Sequence, residues 1–126
     1  MSRSFLYWIL LLLVAAVVVG SLLPDGLKGA LGLHGSEARH RLYHFLVFGG
    51  TALLGLAIAR DLWQRVAVAG SVFALGVALE VAQYVYYDNP LEWWDIRDDG
   101  LGVLVAVLGT WLANYLRARA ATNSST

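Results

Sequence analysis

The sequence predicts an all-α fold, an integral membrane bundle of four transmembrane helices forming one domain over residues 1–126. Three observations lead there. Hydrophobic residues make up 59% of the chain and charged residues 14%, with a mean hydropathy of +0.63, well beyond the apolar content of a soluble domain. The apolar residues gather into four runs, each near the length that carries a helix across about 30 Å of hydrocarbon at about 1.5 Å per residue. The charges collect between those runs.

The first span covers 5–23, "FLYWILLLLVAAVVVGSLL", uncharged and closed by Pro24. It exceeds the apolar segment of a secretory signal and no Ala-x-Ala site follows it, so it reads as a retained helix. The second span covers 42–59, "LYHFLVFGGTALLGLAIA", the third 66–86 and the fourth 101–116, "LGVLVAVLGTWLANYL". Between them lie a long glycine-containing loop over 24–41, a tight charged turn over 60–65 ("RDLWQR") and an acidic, aromatic loop over 87–100 ("YDNPLEWWDIRDDG"). The tail from Arg117, ending in "ATNSST", is expected to fray. No repeat or second domain is visible.

Nine basic and nine acidic residues give no net charge, and no basic cluster is interleaved with aromatics, which argues against a nucleic-acid partner. The absence of Cys excludes disulfides, thiolate metal sites and a Cys nucleophile. Four spans place Arg3, Arg60, Arg65, Arg117 and Arg119 on one side, against Lys28, Arg39, Arg41 and Arg97 on the other. Lys and Arg favour the cytoplasmic face. The expectation is therefore a multi-pass protein of the cell membrane, with both termini cytoplasmic and loops 24–41 and 87–100 outside. The bilayer is its first partner.

Small residues recur every fourth position on the third span (Gly70, Ala74, Ala78, Ala82) and nearly so on the fourth (Gly102, Ala106, Gly109, Ala113). Such stripes let helix backbones approach, although Gly and Ala are common in membrane helices in any case.

The polar residues converge on one level. Glu80 lies about 9 Å below the outer end of the third span, six residues at about 1.5 Å each, with Gln83 a turn above it. His44 enters the second span near the same surface, preceded by His40 and Arg41, and Asp95, Asp98 and Asp99 precede the fourth span. An ionised carboxylate in hydrocarbon costs about 2.5–3.5 kcal/mol on insertion scales, so Glu80 needs a partner. His44, Arg41 and Gln83 are the candidates, and a Glu80–His44 hydrogen bond would satisfy both groups. The three aspartates read as helix-capping or solvated acids.

No metal or other cofactor is expected. The one candidate set is His40 and His44, at i and i+4 in "HRLYH", with Glu80 or Asp99 as a third ligand. Trp93, Trp94, Tyr84, Tyr86 and Tyr87 form an aromatic belt or line a headgroup groove. There is no Gly-x-Ser-x-Gly, no phosphate loop, and little Ser near any His, which disfavours a serine triad.

These residues, taken in order, resemble the VanZ-like family of small membrane proteins. "HRLYHFLVF" puts Arg41 at the family's Lys position, His44 at its His and Phe48 at its aromatic. "EVAQ" supplies the Glu-x-x-Gln as Glu80 and Gln83, and "DIRDDGLG" places Asp95 at the closing Asp, Asp99 where Asn is usual and Gly102 at the Gly. The likeness spans roughly 20–113. It departs at His40, which stands where an acid is usual, and in having no Arg between Gln83 and Asp95. The resemblance implies a helical integral membrane protein, and the family's named member is linked to resistance to glycopeptides such as teicoplanin.

The leading expectation is an envelope protein, not primarily an enzyme. In that reading Arg41, His44, Glu80, Gln83, Asp95 and Asp99 line an outward-facing pocket for the headgroup of a lipid-linked cell-wall precursor or a lipophilic glycopeptide. Two alternatives stand beside it: an enzyme acting on a lipid or glycan through His44 and Glu80 as an acid-base pair, with or without a metal, and a transporter or structural partner in which Glu80 is a proton relay or an interhelical tie.

Overall fold

The computed structural model describes residues 2–32 and 35–123, so the last residues of the tail lie outside it. The described chain is all-α: α1 Arg3–Ser21, α2 Asp25–Ala30, α3 Glu37–Ile58, α4 Leu62–Tyr87 and α5 Trp93–Asn123. Four of these, α1, α3, α4 and α5, are long and apolar enough to cross a membrane.

Local chemistry sets the helix ends. The Ser2 hydroxyl accepts the Phe5 N–H at 3.3 Å and opens α1. Asp61 caps α4 by accepting the Gln64 N–H at 2.8 Å, while the Gln64 side chain reaches back to the Arg60 N–H at 2.8 Å. That reciprocal pair is a close variant of a capping box. At the other end of α4, Asp88 takes a left-handed conformation (φ 56°) and Pro90 follows, a combination that stops a helix.

Three expected boundaries move. The 24–41 loop contains α2 and already becomes α3 at Glu37, which brings His40 inside a helix. The charged turn shrinks because α4 starts at Leu62. The largest shift is in α5, which begins at Trp93 and runs 31 residues, about 46 Å, to Asn123. The tail through Asn123 is thus helical, and the aspartates expected in a loop belong to the first two turns of a helix.

The interior centres on α3, which packs most extensively against α5 and also against α4 and α1. Phe48, Ala52 and Leu56 of α3 meet Val72 and Leu79 of α4 and Val103 and Ala106 of α5. No residue of α1 is buried, and Val17 and Val18 lean on the cluster from outside. Polarity is inverted relative to a soluble domain. Glu80, Asp95, Asp98 and Asp99 are buried, whereas Leu12, Leu53, Val105 and Leu108 are exposed. An outer surface so apolar suits hydrocarbon rather than water.

Backbone approach decides which faces meet. A Cβ on Gly102 would overlap the Phe45 carbonyl oxygen, and one on Gly49 would lie 3.1 Å from the Gly102 carbonyl oxygen. This glycine pair lets α3 and α5 cross nearly in contact. Gly76 of α4 holds a second close approach, against Asp99 and Phe48, and Gly55 a third, against Val68. The stripe expected on the third span is corrected accordingly: Gly70, Ala74 and Ala78 face outward, and nothing lies within 4 Å of a Cβ built on Gly70. On the fourth span Gly102 and Ala106 are buried, but Gly109 and Ala113 are exposed.

Candidate functional site

Because α3 and α5 run parallel, residues spaced by one helical turn on one helix meet residues spaced by one turn on the other. His40 and His44 therefore face Asp95 and Asp99 as two rungs of a ladder. His40 Nε2 lies 2.9 Å from Asp95 Oδ2, and His44 Nδ1 lies 2.9 Å from Asp99 Oδ1. The rungs are coupled, since His44 Nε2 is also 3.4 Å from Asp95 Oδ2. The two imidazoles sit with ring centroids 4.7 Å apart, and His44 stacks on Phe48 one turn deeper.

A third pairing flanks the ladder. Arg41 Nε donates to Asp98 Oδ2 at 2.7 Å, and Arg97 donates to Asp98 Oδ1 at 2.9 Å. Both guanidinium groups also lie over the Trp94 ring, at 5.5 and 4.6 Å from its centroid. The expectation of capping or solvated aspartates is thereby corrected. Asp95, Asp98 and Asp99 are 2%, 5% and 1% exposed, because the Gly49–Gly102 crossing draws the start of α5 against α3.

Glu80 is 3% exposed and makes no hydrogen bond among the described residues. Its carboxyl interacts electrostatically with Asp95, His44 and Asp99, yet His44 turns both ring nitrogens to α5 and Arg41 is committed to Asp98. The third candidate partner, Gln83, is spoken for as well. Its amide donates to the Ser21 carbonyl at 3.1 Å, and the Tyr87 hydroxyl donates to the Leu22 carbonyl at 2.8 Å. Those carbonyls belong to the end of α1, where helix geometry leaves acceptors without intrahelical donors. Gln83 is thus a tie between α4 and α1.

Outside the helices, Glu92 precedes α5 with its carboxyl pushed up, first by partial burial and then by the Asp95 carboxylate. Its Oε2 is 3.8 Å from His40 Nε2. Among the described residues, one group of side chains could hold a metal: single donor atoms of His40, His44 and Asp95 lie within 4.8 Å of one another. The third member is Asp95, in place of the expected Glu80 or Asp99.

Beside the ladder, a cleft of about 330 Å³ opens between α1 and α3. Its walls are Leu13, Ala16 and Val17 of α1 with Val47 and Phe48 of α3, and its polar groups are His40, His44, Gln83, Ser21 and Lys28. Of the residues expected to line a pocket, His44 and Gln83 do so. Asp95 and Asp99 lie behind the imidazoles, Glu80 lies deeper on α4, and Arg41 is bonded to Asp98. Sequence reasoning did not assign site roles to Lys28, Ser21 or Gly76. The first two are unremarkable residues of a short helix and a helix end, and only the packing against Asp99 distinguishes Gly76 from other helix glycines.

The chain matches no protein-family model, no curated protein and no solved structure.

Proposed function

We propose that this chain is a multi-pass protein of the cell envelope, VanZ-like in the order of its polar residues, that holds an amphiphile in the α1–α3 cleft. One observation carries the reading: the cleft joins apolar walls to a polar end formed by His40, His44, Lys28 and Gln83. A lipid tail matches the walls, and an anionic headgroup, phosphate or carboxylate, matches Lys28 and the imidazoles. A lipid-linked cell-wall precursor has this chemistry, and a lipophilic glycopeptide such as teicoplanin has it in part.

The carboxylates behind the imidazoles act indirectly. By accepting from His44 Nδ1, Asp99 fixes the orientation of the ring and the nitrogen it turns away from α5's second turn. Arg3, Arg60, Arg65, Arg117 and Arg119 support cytoplasmic termini, which puts the polar end of the cleft on the outer side. A second reading, acid-base chemistry on the bound amphiphile, draws on the same His44–Asp99 pair, a partly buried dyad bordering a cavity.

The test is equilibrium binding of a polyprenyl-phosphate-linked precursor and, separately, of teicoplanin to the detergent-purified protein. Lys28→Ala and His44→Gln are each expected to weaken binding about tenfold, one lost charge-assisted contact, and Leu13→Trp to block the cleft. Binding of neither compound, or binding indifferent to all three substitutions, refutes the proposal. Turnover of the precursor lost in Asp99→Asn would favour the acid-base reading.

A further inference from the structure

The His40–His44–Asp95 group brings two imidazole nitrogens and a carboxylate oxygen within 4.8 Å of one another, close enough to share one ion. Asp99 Oδ1 sits 2.9 Å from His44 Nδ1, and a carboxylate accepts, so Nδ1 carries the proton. The other nitrogen of a neutral ring then presents a lone pair, and it faces Asp95 Oδ2 at 3.4 Å. A metal ion bound there would take the place of the protons that otherwise bridge the two imidazoles to Asp95. The arrangement of carboxylate, imidazole Nδ1–H and an outward Nε2 is the one that orients histidine ligands in metal sites.

We infer that His40, His44 and Asp95 form a binding site for a divalent transition metal of the zinc type, with its open coordination position facing the cleft. Distances support it. Bonds of about 2.0–2.2 Å at tetrahedral angles separate donor atoms by about 3.3–3.5 Å. His44 Nε2 and Asp95 Oδ2 are already 3.4 Å apart, and His40 Nε2, 2.9 Å from the same oxygen, needs a small outward rotation. The His40 side chain is 51% exposed and free to make it, whereas those of His44 and Asp95 are 15% and 3% exposed and held.

The acids gathered here, partnered among the described residues only by the two imidazoles, are compatible with a bound cation. Glu80, Asp95 and Asp99 are all at least 95% buried, and among the described residues the ion pairs of Arg41 and Arg97 go to Asp98 instead. Glu80, buried without a hydrogen bond and within the field of Asp95, Asp99 and His44, adds a further acid at this level. A dication at the ladder offsets two of those charges. Two imidazoles and one carboxylate suit zinc or cobalt better than calcium or magnesium, which prefer all-oxygen sites.

His40 and His44 both line the cleft, so the fourth position opens onto the space assigned to the headgroup. There the metal would take an anionic headgroup oxygen as ligand, a part of the inference that rests on the amphiphile reading. Metal binding itself does not rest on it.

The experiment titrates chelator-treated, detergent-purified protein with Zn²⁺ by calorimetry and with Co²⁺ by visible absorption, with no amphiphile present. One equivalent per chain is expected, with the intense Co²⁺ bands of tetrahedral coordination. Asp95→Asn and His40→Ala should each weaken it at least a hundredfold, Asp99→Asn about 10–100-fold through loss of the support to His44, and Asp98→Asn little. His40→Ala changes a half-exposed side chain, and far-UV circular dichroism verifies the fold of each variant. No saturable binding by the wild type overturns the inference, as does binding that Asp95→Asn and His40→Ala leave unchanged. Amphiphile binding measured with and without chelator separates the two proposals. Binding unaffected by chelator overturns the metal-headgroup contact alone, and metal binding without amphiphile binding overturns only the amphiphile reading.

Discussion

Replacing Gly76 with Ala tests the packing that places Asp99 against His44. A Cβ at this position would overlap Asp99 Oδ2 and lie 3.2 Å from Phe48 Cε1. Asp99 is 1% exposed and its other oxygen is bonded to His44, so it yields only by breaking that bond or by pushing α4 away. Overpacking a well-filled interior costs about 1–3 kcal/mol, and a hydrogen bond to a charged group contributes about 1.5–3 kcal/mol. Ala gains roughly 1 kcal/mol over Gly in helix propensity. With both costs incurred, the sum is a destabilisation of roughly 1.5–5 kcal/mol, working from those ranges. Gly70→Ala, six residues earlier on the same helix with nothing within 4 Å of the new Cβ, keeps only the propensity gain and should be neutral or stabilising by up to about 1 kcal/mol. Reversible unfolding in mixed micelles of increasing SDS fraction measures both. Equal shifts for the two variants, or a stabilised Gly76→Ala, would refute the claim that α4 bears directly on Asp99.

Gly102→Ala forces a methyl into the Phe45 carbonyl, a backbone atom that cannot swing aside, and should lower folded yield and SDS resistance more than Gly76→Ala does. Gln83→Leu removes the donor to the Ser21 carbonyl and should cost about 1 kcal/mol; faster proteolysis between α1 and α2, with α3–α5 protected, is its signature. Glu80→Gln relieves repulsion with Asp95 and Asp99 while keeping shape, so stability should hold or rise, and amphiphile binding should persist because Glu80 does not line the cleft. A loss of stability beyond roughly 1 kcal/mol, the size of one hydrogen bond, would show that Glu80 has a partner.

Much of the bundle was legible in the chain. Four apolar runs and Pro24 are local signals, and each of the four long helices formed where its run lies. Boundaries slipped where polar residues were read as loop. "WWDIRDDG" has the charge of a solvated segment, but its Asp95, Asp98 and Asp99 fall at i, i+3 and i+4, the spacing of one helix face. The level at which polar groups gather was legible too, since depth follows from counting residues at a fixed rise.

Pairing was not. Glu80 and His44 share a level, yet His44 is taken by Asp95 and Asp99 and Gln83 by the end of α1. The rotation of each helix about its axis decides such matters, and in an apolar helix that packs on one side and meets lipid on the other, hydrophobic periodicity carries little record of it. Hence Gly76 faces the core while the more regular stripe through Gly70, Ala74 and Ala78 faces out. Composition and run length alone settled the number of apolar helices, their order and the level of the polar groups. Which imidazole meets which carboxylate was settled in three dimensions, where Gly49 and Gly102 let two parallel backbones touch and so brought two matched turns into register.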